Sequence, residues 1–389
     1  MRILLANDSR ADAGGVGTYL AALIRPLEAR GHAVALLHDG VDSTQTASRI
    51  PIDESWSIGD DGLDGAFERV RAWRPDICYS HNMRRLEVDE RLAREWPTVK
   101  MMHGYFGTCV SGHKAFAFPR VQACSRHCGP ACLVHYLPRR CGYRHPAMML
   151  AQYDWATRQR SLFPRYSAMV VASDHMRREY VAHGVEPTRV HAIPLFAADS
   201  PAPTAIHDPT DVVFLGRMTP LKGPDLLVRA IRRASDRTGR AVEVTMAGEG
   251  PERRRLEQLA AALGVKARFP GWVDACGRAD LLSRAAVVAI PSVWPEPFGL
   301  VGLEAAAFGV PAVGFDVGGM SAWLSDEVNG RLLPRSAGAD GLGDAIAAIL
   351  TDPVYRRRLS DGARSITARF TSDAHVASLE RVLEGVRRS

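Results

Sequence analysis

Along this chain, short apolar runs bounded by Gly, Asp or Pro alternate with longer stretches of helical period, the sequence sign of parallel βαβ construction. Two such series follow one another. The first opens with the strand Ile3-Leu4-Leu5-Ala6, an amphipathic helix over residues 18–30 and the strand Ala33-Val34-Ala35-Leu36-Leu37, and continues at Ile77-Cys78-Tyr79 and Met169-Val170-Val171-Ala172. The second runs through Val212-Val213-Phe214-Leu215, a helix over 224–235, Val242-Glu243-Val244-Thr245-Met246 and a helix over 251–263. It then reaches Val287-Val288-Ala289-Ile290 and Pro311-Ala312-Val313-Gly314-Phe315. Between the series, residues 194–209 hold four prolines among Ala, Ser and Asp, which disfavours helix and strand and reads as a linker. The expectation is α/β: two doubly wound domains with ligands at the carboxyl ends of their strands, in a cleft that the two enclose. A last helix over 371–387 puts Val376, Leu379, Val382, Leu383 and Val386 on one face and must pack on something.

Composition narrows the class. With 46% hydrophobic and 24% charged side chains in 389 residues, disorder, collagen and coiled coil are excluded, and two domains of ordinary size fit. The net charge of +6 is local: residues 96–153 contain no acid but carry Lys100, Lys114, Arg120, Arg126, Arg139, Arg140 and Arg144. Five of the seven cysteines and five of the thirteen histidines fall in the same stretch. A confined insert of this kind suggests a site, not the arm or stripe of a nucleic-acid binder. No apolar run approaches the ~18 residues of a membrane span, and the start turns polar after one strand's length, so no signal peptide is expected. An odd number of cysteines in such a chain points to reduced thiols and a cytosolic setting.

Three loops carry chemistry. Asn7-Asp8-Ser9-Arg10-Ala11-Asp12-Ala13-Gly14-Gly15-Val16-Gly17-Thr18 follows a strand and opens a helix, so its amides suit a phosphate, although a tight βα turn is an equal reading. The dinucleotide fingerprint and its ribose acid are missing, which argues against a nicotinamide-dependent enzyme. In Gly216-Arg217-Met218-Thr219-Pro220-Leu221-Lys222-Gly223 a strand-end Arg and a loop Lys can converge on one diphosphate, although taken alone they read more simply as exposed helix-entry charges. The run from Pro291 to Gly309 holds Glu296 on a proline-rich strand exit and Phe298-Gly299-Leu300 at a helix start. Glu304 then lies on an otherwise apolar helix, where a carboxylate is costly to bury without donors such as vicinal sugar hydroxyls.

The Glu296-x7-Glu304 pair, Gly248-Glu249-Gly250-Pro251, Phe269-Pro270-Gly271-Trp272-Val273, Gly318-Gly319, Asn329-Gly330 and the Arg217/Lys222 turn together resemble a retaining nucleotide-sugar glycosyltransferase of family 4, with the GT-B fold. The resemblance implies that Arg217 and Lys222 neutralise the diphosphate of a UDP- or GDP-linked sugar, with Gly216 beside them. It implies that Glu304 holds the ribose, that Glu296 contacts the sugar, and that Phe298, Gly299 and Leu300 donate amides. Gly14 and Gly15 would cover the phosphates, and His103 matches the family's active-site histidine. Many relatives have His-Asp where this chain has His103-Gly104, so the partner that would orient the histidine is missing. No Asp-x-Asp occurs, so metal-clamped donor binding is not supported and no cofactor is expected to be required for catalysis. Transfer of a hexosyl group with retention, to a hydroxyl of a glycan, lipid or small molecule, is the function implied. The lesser alternative is a non-catalytic nucleotide-sugar binder or membrane-peripheral adaptor of the same fold.

The domains expected are an N-terminal, acceptor-side domain at 1–195 with a basic insert at 104–145, a linker at 196–210, a donor domain at 211–370 and the final helix at 371–389, for which the N-terminal domain is the candidate partner. Cys109, Cys124, Cys128, Cys132 and Cys141 admit a structural zinc or buried thiols equally, with disulfide or cluster chemistry behind them. The insert's charge fits an acidic or lipid-linked acceptor, or a peripheral contact at the inner face of a membrane.

Overall fold

The computed structural model describes residues 1–11, 14–40, 49–197 and 211–388. Residues 1–113, 126–198 and 372–389 form one compact unit, and 114–125 with 199–371 form a second. The strands are β1 (Arg2–Asn7), β2 (Ala33–His38), β3 (Glu54–Ser57), β4 (Ile77–Ser80), β5 (Thr98–Met102), β6 (Ala115–Phe116), β7 (Gln122–Ala123), β8 (Ala168–Val171), β9 (Val190–Ala192), β10 (Asp211–Leu215), β11 (Glu243–Ala247), β12 (Lys266–Gly271), β13 (Ala285–Ile290), β14 (Ala312–Phe315) and β15 (Gly330–Leu333).

In the first unit the order is β3-β2-β1-β4-β5-β8-β9, with every pairing parallel. In the second it is β12-β11-β10-β13-β14-β15, again parallel throughout. Each unit is therefore doubly wound, as the alternation of the sequence implies. The cause is burial on both faces: Ile3 to Ala6 at the centre of β1 are wholly buried, and all six residues of β13 are buried, so both runs are apolar throughout. The chain reverses its direction of winding between β1 and β4 in one sheet and between β10 and β13 in the other, and at such a switch the loops diverge and leave room for a ligand.

Most of the stretch read as a linker, 196–210, lies outside the described residues. The helix Ser372–Arg388 belongs to the first unit, where it buries His375, Val376, Leu379 and Leu383. Glu380 on this helix accepts hydrogen bonds from Arg30 at 2.9 Å and from His32 at 2.7 Å.

The insert departs from its expected place in one domain. Its hairpin β6–β7 groups with the second unit, because Val121 at its turn packs against that unit's apolar core. The rest forms two helices, Ala131–Tyr136 and Pro146–Ser161, around a small cluster of Val110, Cys128 and Tyr136 flanked by Cys132, Cys141, Met149 and Tyr153. Cys124 stands on the hairpin, in a different unit from Cys109, Cys128, Cys132 and Cys141. Among the described residues no group of three or more His, Cys, Asp or Glu side chains is arranged to hold a metal ion. Three of the thiols, those of Cys128, Cys132 and Cys141, line or flank that apolar cluster. Among the described residues no helix is long and apolar enough to cross a membrane.

Candidate functional site

In the second unit, the loops leaving β10, β11, β13 and β14 are drawn together by backbone contacts that side chains would block. A Cβ on Gly248 would stand 2.1 Å from the carbonyl oxygen of Gly216, and one on Gly250 would stand 2.4 Å from that of Met218. The amide of Met218 donates to Glu249 O at 2.9 Å, which joins the two loops and fixes the backbone on either side of Arg217. Arg217 itself is exposed, with no ion-pair partner among the described residues.

Lys222 closes a short 3₁₀ turn, Pro220–Lys222, before Gly223 takes a left-handed conformation and opens the helix Pro224–Thr238. A Cβ on Gly223 would lie 2.1 Å from Pro291 O, so this glycine lets the turn rest against the exit of β13, where Val293 N donates to Leu221 O at 2.9 Å. That contact brings Lys222 to Glu296. The ammonium is ion-paired with Glu296 Oε1, to which Ser292 Oγ also donates at 2.8 Å, and it sits 5.4 Å from the centroid of the Trp294 ring. Glu296 is only 3% exposed, so its charge is held by these two donors and not by water.

Beyond Glu296 the chain reaches Gly299, left-handed at the N-cap of the helix Leu300–Ala307. There a Cβ would meet Met320 Sδ at 2.6 Å, and Phe298 O accepts from the indole of Trp323 at 2.7 Å. The first amides of that helix have no partners within it, and they carry the positive end of its dipole. One turn on, Glu304 receives a single long hydrogen bond, 3.4 Å, from Arg278 to Oε1, while Oε2 is buried with no partner among the described residues. Burial raises its carboxyl above the usual carboxylate range, with Arg278 opposing. A buried acceptor without a donor costs about 1–3 kcal/mol, which a ligand bearing hydroxyls would relieve. A cavity of about 360 Å³ lined by Val213, Thr245, Phe269, Pro270 and Leu281 holds none of the candidate donor-site residues.

In the first unit, Gly14 and Gly15 are exposed and are the first residues of the helix Gly14–Ala29, which starts earlier than the periodicity implies; residues 12–13 of the loop lie outside the described residues. His103 follows β5, and its Nε2 is 3.0 Å from Nδ1 of His81, the residue after β4. Burial, and then the charge of Lys100, lower the His103 imidazole to about 3. Lys100 is itself buried in an ion pair with Asp89 at 2.6 Å.

Arg217, Lys222, Glu296, the 298–300 amides and Glu304 thus all sit at the carboxyl side of the second sheet, and His103 with Gly14 and Gly15 at that of the first. Sequence reasoning passed over Ser292, Arg278, His81, Tyr19, Tyr79 and His375. Only His81 carried any signal there, since it follows a strand end, one residue past the apolar run Ile77-Cys78-Tyr79, much as His103 follows its own strand.

This arrangement can grip an anion and hydroxyls on one unit and present a neutral imidazole on the other. Residues 13–197 match the model of the family described as glycosyltransferase family 4, and residues 197–366 match that of glycosyl transferases group 1. A D-inositol 3-phosphate glycosyltransferase of Kribbella flavida is 41% identical over 162 residues, 39% of this chain and 38% of the relative. One of the same description from Xylanimonas cellulosilytica is 35% identical over 51% of each chain. The match thus spans about half the length of these relatives or less. Among solved structures, Anabaena HepE in complex with UDP and glucose superposes with a TM-score of 0.69 at 19% identity, covering 99% of this chain and 100% of that one. A variant of S. aureus TarM gives 0.73 at 10% identity, covering 98% and 99%. At these identities the structural likeness is one of fold.

Proposed function

Since the chain belongs to the family 4-like, group 1 glycosyltransferases and has their GT-B fold, we propose that it moves a hexosyl group, with retention, from a nucleoside-diphosphate sugar to a hydroxyl acceptor. The observation that carries this reading is the Lys222–Glu296 pair beside an exposed Arg217 at the carboxyl ends of β10 and β13. An ammonium has three N–H donors, so Lys222 can keep Glu296 and still reach a phosphate oxygen, while the Arg217 fork takes a second.

Breaking the glycosyl–phosphate bond develops negative charge on the departing diphosphate and positive charge on the sugar. Two fixed cations and the 298–300 amides stabilise the first, and the buried Glu296 carboxylate stabilises the second. Glu304 Oε2 would accept from the ribose hydroxyls. The cations take the part that a metal plays in metal-clamped donors, so no cofactor is required. The acceptor hydroxyl attacks on the face that the phosphate leaves, and the phosphate takes its proton. Relatives named D-inositol 3-phosphate glycosyltransferase, and a structural neighbour holding UDP-glucose, favour a nucleotide-linked hexose and a hydroxylated acceptor.

A membrane-associated acceptor is the reading that the insert supports. Val134, Tyr143, Met148 and Leu150 are exposed, and Leu150 shares an outward face of its helix with Ala147 and Ala151 within the acid-free stretch. Apolar side chains among cations and without acids suit the surface of an anionic bilayer.

The test is a thermal-shift panel of nucleoside diphosphates and nucleotide sugars, followed by turnover with the ligand that raises the midpoint. Arg217→Ala should retain the wild-type midpoint without ligand and lose on the order of 10²–10³ in turnover. Near-normal turnover in that variant would remove the donor-site assignment, and binding without turnover in the wild type would leave a non-catalytic binder.

A further inference from the structure

At the carboxyl ends of β4 and β5, the donor chemistry leaves one arrangement unused. His81 is completely buried, and its ring lies 4.4 Å from that of Tyr79, centroid to centroid. Tyr19 packs against both histidines, at 5.8 Å from His81 and 5.7 Å from His103. The carbonyl of His81 accepts from the ammonium of Lys100. His81 is thus fixed by its neighbours, and His103 is joined to it through one nitrogen of each ring.

Both imidazoles are neutral at ordinary pH, because burial, with Lys100 nearby, holds His103 at about 3 and His81 well below its usual range. A bond between two neutral imidazoles contains one proton, so whichever ring donates determines the tautomer of both. The second nitrogen of His81, Nε2, is buried with no hydrogen-bond partner among the described residues. If His103 were the donor, His81 would carry its own proton on Nε2, an orphaned buried N–H, which native structures avoid more strictly than an orphaned acceptor. His81 Nδ1–H is therefore the donor and His103 Nε2 the acceptor. The proton of His103 then sits on Nδ1, which has no partner among the described residues.

We propose that His81 is a positioning residue for His103, fixing its ring in one orientation and in the Nδ1–H tautomer so that it offers a sugar oxygen a hydrogen-bond donor. The proposal rests on the transferase reading, in which His103 meets the donor sugar. It accounts for the glycine at position 104: with no carboxylate beside His103, the orienting contact comes from the neighbouring strand, 22 residues earlier. A ring that both donates and stays uncharged suits a site where the sugar gains positive charge, since an imidazolium there would oppose it.

The full chain labelled with ¹⁵N-histidine tests this. Long-range ¹H–¹⁵N spectra between pH 6 and 8 should show His103 protonated on Nδ1 and bare on Nε2. His81→Phe keeps a ring and removes both nitrogens, and should turn the His103 signals into those of mixed tautomers. His81→Asn, whose amide stands in for Nδ1–H, should restore the single form. If His81→Phe does not fold, His81→Gln, with its amide in the place of Nε2, serves the same comparison. In turnover of the nucleotide sugar that the wild type uses fastest, His81→Phe should lower kcat by about 10–100-fold with KM within about threefold, and His81→Asn should recover most of it. An unchanged His103 spectrum in His81→Phe, or a protonated Nε2 in the wild type, overturns the proposal. Wild-type protein with the stated tautomer but no turnover of any nucleotide sugar would instead overturn the transferase reading, and the positioning role with it, while the tautomer assignment stands.

Discussion

His375 shows how far one side chain can be specified by its bonds. Its Nδ1 is 2.7 Å from Pro194 O, and a carbonyl can only accept, so Nδ1 carries the proton. Burial lowers this imidazole to about 4, so the ring is neutral and Nε2 accepts from Tyr19 OH at 2.7 Å. Tyr19, having donated, accepts from Tyr79 OH at 3.3 Å. The sign of the pH effect follows. Between the ordinary histidine value near 6.5 and the folded value near 4, the unfolded chain binds a proton that the folded one refuses, so stability falls as the pH falls through that window. His375 alone should cost about 2 kcal/mol by pH 5, and His81 and His103 act in the same direction. Thermal midpoints measured from pH 7.5 to pH 5 should drop; a flat profile would show that these rings titrate normally in the folded protein. None of this was legible in the sequence, where His375 is one polar residue in an amphipathic helix and its partners stand more than 180 residues away.

Elements, by contrast, were largely legible, because a strand, a turn and the following helix are written within some twenty consecutive residues. The loop after β10 is an example: Arg217, Lys222 and Gly223 are local in sequence and remain one turn in the structure. What its sequence could not convey is the close approach that Gly223 permits. Gly223→Ala should lower stability on the order of 3 kcal/mol, since it adds a clash with Pro291 O to a left-handed backbone, and should weaken nucleotide binding by displacing Lys222. Gly239 has a similar φ of +66° but nothing within 4 Å of its Cβ, so Gly239→Ala should cost only about 1 kcal/mol and leave binding intact. Equal losses in the two variants, read by thermal midpoint and by the shift that the nucleotide found in the thermal-shift panel induces, would mean that backbone strain and not the contact matters. Edge strands were the elements missed. β3 is Glu-Ser-Trp-Ser and β9 is Val-His-Ala, too short and too polar to register as apolar runs.

For the whole molecule, the clearest sequence signal was the acid-free stretch, and its folded form divides it. The hairpin at 114–125 groups with the second unit, while the helices at 131–136 and 146–161 stay with the first and expose Val134, Met148 and Leu150. If that surface rests on a bilayer, the protein should sediment with phosphatidylglycerol vesicles at low salt and less so as salt rises. Met148→Ser with Leu150→Asp should abolish sedimentation without moving the thermal midpoint. Wild-type protein that stays in the supernatant at low salt would leave an acidic acceptor as the account of the charge.

By itself the sequence determined the class of fold and the family motifs at the strand ends, because burial on both faces of a parallel strand dictates apolar runs, and because strand-end loops carry their cations, carboxylates and glycines side by side. Only the tertiary structure decided which of these groups pair: Lys222 with Glu296 across 74 positions, His103 with His81, and His375 with Tyr19 across 356. It also decided that the thiols of Cys128, Cys132 and Cys141 pack in or against one small apolar cluster. The reason is physical. Periodicity and turn chemistry act between near neighbours, whereas the hydrogen bonds that fix a tautomer or satisfy a buried charge form between whichever groups the sheet order brings into contact.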